Sequence, residues 1–254
     1  MEGTQVQLQA ENVSKRFGGF WAVRGVTLQV PKTTIVLLMG PNGSGKTTLI
    51  NCISGVYAPD EGRVLFNGID ITARVPHEIV RMGLGRSFQI PGPFKRLTVA
   101  ENLLVSSGNH PGEKFSSSLI KGKWKAYEQS LIEKMFRILD VIGLNEKSDT
   151  LAGELSGGQL KLLELGRLLM LDVKTMLLDE PVGGVNPVLA HSVLSYIRKI
   201  RDEFQTSFLV VEHRLDIVMK YVDLVYVLAK GNIVCFGSPD EVVKRKELYD
   251  VYLA

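Results

Sequence analysis

The sequence predicts a mixed α/β fold in which a helical segment is inserted into a sheet-forming domain. Short apolar runs rich in β-branched residues alternate with stretches of helical spacing, and these strand signals cluster before about residue 90 and after about residue 172. Between them, Leu97–Met170 has almost only helical periodicity. We therefore expect a single domain over 1–254, with an α/β core formed by 1–90 and 172–254 and a helical subdomain formed by 91–171.

Eight strands are expected from alternation and from β-branched runs. They lie at about Gln5–Asn12, Trp21–Val30, Thr34–Met39, Arg63–Phe66, Met176–Asp179, Ser207–Val211, Leu224–Leu228 and Ile233–Phe236. The first ones favour an antiparallel β subdomain, and the others alternate with helices in the core.

The most regular helical pattern lies in the inserted segment. Apolar residues recur at three- and four-residue steps from Tyr127 to Ile142 and stop at Gly143, between charged flanks. This spacing predicts an amphipathic surface helix. The stretch Ser106–Ser118 is rich in Gly, Ser and Pro, so we expect a long loop there.

Composition excludes several classes of protein. The 254 residues are 45% hydrophobic and 22% charged, with a formal net charge of +3, which excludes a disordered chain and a small disulfide scaffold. The longest apolar run, Leu224–Ala229, is far shorter than the roughly 20 residues of a membrane-spanning helix. Cys52 and Cys235 lie in apolar stretches, which favours two reduced core thiols and a cytosolic compartment. The polar N-terminus has no export signal.

The most specific motif is a glycine-rich loop between a strand and a helix. Gly40–Thr47 satisfies G-x-x-x-x-G-K-[ST], follows the apolar run Ile35–Met39 and opens a helix that ends near Gly55. This arrangement aims backbone N–H groups and the helix dipole at a polyphosphate, and its context disfavours a chance glycine-rich turn. The candidate phosphate-binding residues are Gly40, Pro41, Asn42, Gly43, Ser44, Gly45, Lys46, Thr47 and Thr48.

A phosphoryl-transfer site also needs an acidic metal partner and a group that orders the attacking water. Asp179 and Glu180 follow the apolar strand Met176–Asp179 and supply both carboxylates. Taken alone, such a pair more often begins a helix, but the phosphate loop favours catalysis. We expect Lys46 to neutralise the β- and γ-phosphate oxygens, Thr47 and Asp179 to hold Mg²⁺, and Glu180 to orient or deprotonate water.

A third motif precedes a leucine-rich helix. Ser156, Gly157, Gly158 and Gln159 form S-G-G-Q, which alone would be a loop with an N-cap serine. Here it lies 23 residues before Asp179, with Gln89 after the phosphate loop and His213 after the acidic pair. In this order the motifs resemble those of the nucleotide-binding subunits of ABC transporters, over essentially the whole chain.

The resemblance implies ATP and Mg²⁺ as ligands and assigns further roles. Phe17 would stack on adenine, although Trp21 lies nearby and either ring could be core. Gln89 would sense Mg²⁺ and the attacking water, and His213 would contact the γ-phosphate. The S-G-G-Q residues would cap the ATP that the phosphate loop of a second ABC ATPase subunit holds, so hydrolysis would open the pair.

Two positions depart from the family pattern. Asn186 stands a few residues after Glu180, where many members have Asp, so the loop that would carry communication between subunits has an amide in place of a carboxylate. The turn Pro31–Thr33 lacks the glycine that is common before the phosphate-loop strand.

Several less specific sequence features resemble those of the ATPases of branched-chain amino-acid importers. These are Arg86–Pro91, Leu97–Asn102, the insertion Ser106–Lys125 and the C-terminal Val251–Leu253. The resemblance implies integral membrane permease subunits, an extracytoplasmic binding protein and a peripheral place at the cytoplasmic face of the membrane. We expect Leu97–Lys125 to dock a permease subunit.

Three alternatives stay open. A lipopolysaccharide-export ATPase shares the tail but usually has a shorter insertion. A soluble ABC ATPase of DNA repair or translation generally has coiled-coil arms or a second cassette; this chain has neither, nor a basic stripe with aromatics, so no nucleic acid is expected. A non-hydrolysing scaffold is disfavoured by the presence of Glu180 and His213.

Overall fold

A computed structural model of the chain describes residues 5–87, 92–108, 121–246 and 248, with the backbone alone for 121–124. Two compact units divide the chain. One comprises Met1–Gln89 with Lys174–Ala254, and the other comprises Ile90–Val173. The sequence places these divisions at 90/91 and 171/172.

The strands of the described residues all belong to the first unit. They are β1 Val6–Phe17, β2 Phe20–Pro31, β3 Ile35–Met39, β4 Glu61–Phe66, β5 Ile69–Asp70, β6 Leu84–Arg86, β7 Thr175–Asp179, β8 Ser207–Val211, β9 Leu224–Ala229 and β10 Asn232–Gly237. The helices of the described residues are α1 Lys46–Ile53, α2 Pro76–Arg81, α3 Val99–Leu104, α4 Lys121–Ile142, α5 Gly157–Met170, α6 Pro187–Phe204, α7 Leu215–Val218 and α8 Pro239–Val243.

A six-stranded sheet forms the centre of the first unit, in the order β10-β9-β3-β8-β7-β6. All its neighbouring pairs are parallel except β9–β10. Every residue of β3, β7 and β8 is buried, as in parallel sheets covered on both faces. Because these strands are parallel, their carboxyl ends lie at one edge of the sheet, which is where ligands bind in such folds.

A second, antiparallel sheet has the order β2-β1-β4-β5 and confirms the expected β subdomain. Its inward residues, such as Leu8, Val26 and Val64, share one hydrophobic core with Leu49 and Ile53 of α1. This shared core holds α1, and therefore the loop before it, at a fixed place beside the central sheet.

The second unit is helical. Gly166 on α5 lets three elements approach closely, because a Cβ at this position would lie 2.9 Å from side-chain atoms of both Leu103 and Ile142. The predicted helix end at Gly143 is confirmed: this residue has φ 69°, and the Leu144 N–H bonds to the Leu139 carbonyl oxygen at 2.9 Å.

The structure corrects the sequence prediction in three places. The short strands β5 and β6 were not predicted, because two or three residues are too few for alternation to be detected. The strand β1 continues to Phe17 through register shifts that interrupt its alternation. The segment 97–170 is less uniformly helical than expected, since an isolated bridge joins Thr98 to Leu151.

The remaining expectations concern the two cysteines, the long loop, the C-terminal residues and a membrane-spanning helix. Cys52 and Cys235 are buried and are not joined in a disulfide, as predicted. The predicted loop Ser106–Ser118 lies largely outside the described residues, and Val251–Leu253 lies entirely outside them. Among the described helices, none has both the length and the apolar composition needed to cross a bilayer.

Candidate functional site

The phosphate loop joins β3 to α1 and lies against two neighbouring strands. Gly40 and Gly45 have φ of 154° and 108°. A Cβ at Gly40 would overlap the carbonyl oxygen of Leu228, and a Cβ at Gly45 would overlap that of Ala22. Only glycine fits at these positions, so the motif's glycines set the path of the loop.

The N-terminus of α1 fits an anion. Its N-cap residue, Gly45, supplies no side-chain cap, so the first-turn N–H groups at Lys46, Thr47 and Thr48 lack the usual capping oxygen. Such N–H groups, together with the helix dipole, favour bound phosphate.

The ammonium group of Lys46 binds to the backbone of the same loop. Its Nζ donates to the carbonyl oxygens of Gly40 and Pro41, each at 2.8 Å. Burial lowers the pKa of Lys46, whereas the charges of Glu180 and Asp179 act in the opposite direction. The cation is thus half-buried between the loop and two carboxylates.

Two glycines of the loop provide a matched test of this geometry. We expect Gly45→Ala to lower the free energy of unfolding by about 3 kcal/mol, because an alanine at positive φ must also displace the Ala22 carbonyl. Gly43→Ala should lower it by only about 1 kcal/mol, since Gly43 has φ 77° but nothing within 4 Å of its Cβ position. Urea unfolding of both variants measures the difference, and equal losses would contradict the steric argument.

Asp179 ends β7 with a side chain that is only 5% exposed. Arg86 of β6 lies beside it, with Nη2 3.5 Å from Oδ2 of Asp179. Burial raises the pKa of Asp179, and the nearby Arg86 opposes this shift. A buried carboxylate at this sheet edge is an oxygen ligand of the kind that Mg²⁺ prefers.

Arg86 is a part of the site that sequence reasoning did not assign. Its Nη1 donates to the Asn51 side-chain oxygen at 2.6 Å and to the Ser54 hydroxyl at 3.1 Å. Both residues follow the phosphate loop at the end of α1, so Arg86 links this helix to Asp179. The arginine stands at the end of a three-residue strand, and only the strand pairing brings it here.

Glu180 directly follows β7 in a left-handed backbone conformation, with φ 52°. Its N–H donates to the Val211 carbonyl oxygen at 2.9 Å, and its Oε1 lies 3.6 Å from Nδ1 of His213. Positive φ is uncommon for a non-glycine residue, and strained backbone conformations cluster at functional sites, where neighbouring contacts hold them in place. The structure thus brings together Glu180 and His213, because the strands that precede them, β7 and β8, are neighbours in the sheet.

Asn186 has a structural role at the start of α6. Its side-chain oxygen accepts a hydrogen bond from the Leu189 N–H at 2.9 Å, which makes it the N-cap of this helix. Asp and Asn are equally good N-caps, so the departure from the family pattern preserves the local structure.

Phe17 lies at the β1–β2 hairpin and is 46% exposed, so it is not a core residue. Its ring meets Tyr57 edge-on, with centroids 5.5 Å apart. Trp21 is partly buried, and the Arg16 guanidinium lies over its ring. Gln89 lies outside the described residues, so its predicted role stays a prediction.

The S-G-G-Q motif belongs to the helical unit and begins α5. Ser156 and Gln159 form a reciprocal capping box, in which the Ser156 N–H donates to the Gln159 side-chain oxygen at 2.9 Å. Ser156 and Gly157 are exposed, and nothing lies within 4 Å of a Cβ placed at Gly157. Gly158 is buried. The motif therefore presents a short backbone segment to solvent at a helix N-terminus.

Comparison with known proteins identifies the family of the chain. The family model described as "ABC transporter" matches residues 23–183. The "Probable branched-chain amino acid transport ATP-binding protein LivG" of Archaeoglobus fulgidus is 48% identical over 97% of this chain and 95% of that protein. Its namesake from Methanocaldococcus jannaschii is 46% identical over 96% of this chain and 95% of that protein.

Solved structures give the same result. An ATP-binding cassette of an ABC transporter in its ADP conformation has a TM-score of 0.85 at 43% identity, covering 99% of this chain and 100% of that one. A nucleotide-free cassette has a TM-score of 0.82 at 43% identity, covering 98% of this chain and 99% of that one. The chain therefore belongs to the ABC transporter family, as one of its nucleotide-binding ATPase cassettes.

Proposed function

We propose that the chain hydrolyses ATP to drive a membrane importer of branched-chain amino acids. The observation that carries the chemistry is the meeting, at one sheet edge, of a glycine-fixed phosphate loop, the buried Asp179 and the pair Glu180–His213. The similarity to two proteins named for branched-chain amino acid transport, over nearly their whole length, supports the cargo.

Binding uses the loop and its flanks. The residues 40–48 hold the phosphates through N–H groups, Lys46 neutralises the β- and γ-oxygens, and Phe17 stacks on adenine. Thr47 and Gln89, with Asp179 directly or through water, would hold Mg²⁺, because oxygen donors are the ligands that this ion prefers. The cation supplies neutralisation of the charge that develops on the phosphates.

Hydrolysis uses the pair Glu180–His213. The Glu180 carboxylate orients or deprotonates the attacking water, and a positioned general base of this kind contributes about 10²- to 10⁴-fold. His213 contacts the γ-phosphate from the adjacent strand end and lies within reach of Glu180.

A second ABC ATPase subunit, either a copy of this chain or a paralogue, completes each site. The exposed Ser156–Gly157 segment, with Gly158 and Gln159, caps the ATP that the partner's phosphate loop holds. Hydrolysis removes the bridging phosphate, so the pair opens and moves the permease subunits.

Gly157→Asp tests this capping. Gly157 is exposed and nothing lies within 4 Å of a Cβ placed there, so folding and ATP affinity of the isolated chain should be unchanged. In the assembled transporter, its charge faces the γ-phosphate and should lower ATP turnover at least about 10-fold. Gly157→Ala measures the effect of size without charge. Capping in trans is wrong if Gly157→Asp weakens binding to the isolated chain or leaves turnover of the assembly unchanged.

The cargo is tested by purifying the complex from membranes through a tag on this chain. We expect permease subunits to co-purify, and we expect a leucine-loaded binding protein to raise ATP turnover severalfold over the unloaded protein. Stimulation by lipopolysaccharide instead of leucine would assign the chain to an exporter.

A further inference from the structure

A buried carboxylate lies between the two segments that carry Glu180 and His213. Glu212 follows the last residue of β8 and is fully buried, with 0% exposure. Its Oε1 accepts a hydrogen bond from the Val182 N–H at 2.8 Å, and its Oε2 accepts one from the His213 N–H at 3.2 Å. One side chain therefore holds both segments.

The segment after Glu180 has the shape that this contact requires. The Gly183 N–H bonds back to the Glu180 carbonyl oxygen at 3.0 Å, which closes a tight turn. Within that turn, the Val182 N–H points at Glu212. A few residues on, the Val185 carbonyl oxygen accepts from Arg214 at 2.9 Å, so the two segments are joined on either side of His213.

Burying a carboxylate is costly unless it is hydrogen-bonded, which argues against an incidental placement. Burial raises the pKa of Glu212, whereas the two backbone N–H donors favour its charged form. Being fully buried, the side chain has no access to a substrate. Its contacts are to the backbone that presents the catalytic groups.

We propose that Glu212 is a positioning residue that fixes the separation of Glu180 and His213. Its carboxylate clamps the turn after Glu180 against the segment of His213. This contact keeps Oε1 of Glu180 3.6 Å from Nδ1 of His213 and holds the strained backbone of Glu180 in place. The proposal rests on the hydrolytic roles of Glu180 and His213 given above. It adds a residue that acts through them without touching ATP.

Glu212→Gln tests the clamp with little change in volume. The amide keeps one oxygen acceptor but turns an NH₂ group toward the other backbone N–H, so one charge-assisted hydrogen bond is lost. We expect kcat for ATP to fall about 10- to 100-fold, with the KM and the Kd for ATP within about threefold of the unaltered chain. A kcat within about twofold of the unaltered value would overturn the proposal.

Ser207→Ala is the matched control at the opposite end of β8. Ser207 is also fully buried and has two partners, Gln7 and the Thr33 N–H, each at 2.8 Å. We expect this variant to lose thermal stability but to keep kcat. If it loses kcat as Glu212→Gln does, the effect is a general loss of order in β8 and the proposal is wrong.

A double-mutant cycle separates positioning from structure. In a Glu180→Gln background, Glu212→Gln should lower the single-turnover rate by a much smaller factor than in the unaltered chain, because no water-activating carboxylate remains to be misplaced and only the position of His213 can still change. An equal fold-loss in both backgrounds would contradict the proposal. If Glu212→Gln does not fold, Glu212→Asp, which keeps the charge on a shorter arm, serves the same cycle with the same criteria.

The outcomes also distinguish this inference from the proposed function. Normal turnover by Glu180→Gln alone would remove the hydrolytic role of Glu180 and, with it, the basis of the clamp. An inactive Glu180→Gln beside a fully active Glu212→Gln would leave the proposed function intact and refute only the clamp.

Discussion

Glu180→Gln is expected to lower kcat for ATP by about 10²- to 10⁴-fold while it leaves the Kd for ATP within about threefold. The amide has nearly the shape of the carboxylate but cannot accept a proton from the attacking water. Because the closed pair would no longer hydrolyse its ATP, this variant should accumulate as a dimer in ATP. Phosphate release and sedimentation measure the two effects.

Glu61→Gln is the control for the chemical change itself. Glu61 is an exposed residue at the start of β4, and its replacement should change neither kcat nor the dimer population. If Glu180→Gln hydrolysed ATP at the unaltered rate, Glu180 would have no role in activating water, and another group would have to be found.

Lys46→Ala is expected to raise the Kd for ATP about 100-fold. The ammonium lies within the loop, and its loss removes charge-assisted bonds to the phosphates, each of which contributes about 1.5–3 kcal/mol. Equilibrium binding of a fluorescent ATP analogue to the isolated chain measures the loss.

The control for Lys46→Ala is Lys32→Ala. Lys32 is exposed on the turn before β3 and bonds only to a surface glutamine, Gln5, among the contacts of the described residues. Lys32→Ala removes the same charge from the same unit, so this variant shows any effect of net charge on the Kd for ATP. Equal losses of affinity in the two variants would show that Lys46 makes no specific contact with the phosphates.

Much of the fold was predictable because its signals are local. The phosphate loop is recognised by the spacing of its glycines and lysine. The strands β3, β7 and β8 appear as mostly apolar runs, because parallel strands are covered on both faces. The strand β6 was not predicted, because this three-residue strand forms only by pairing with β7, which is distant in the sequence.

The parts of the site that sequence reasoning missed are set by tertiary contacts. Arg86 and Glu212 lie beside recognisable motifs, yet nothing local indicates that the first reaches Asp179 and α1 or that the second bonds to Val182. The capping role of Asn186, by contrast, follows a local rule: an Asn followed by Pro187 is typical of a helix start.

ATP hydrolysis by this chain is expected to drive amino-acid import. The direct measurement is uptake of labelled leucine by proteoliposomes that contain the co-purified transporter and its binding protein, with ATP supplied on the side of the cassette. We predict uptake that requires ATP and is lost in Glu180→Gln and in Lys46→Ala but kept in Glu61→Gln. Leucine uptake that proceeds equally without ATP, or that survives Glu180→Gln, would show that ATP hydrolysis by this chain does not drive import.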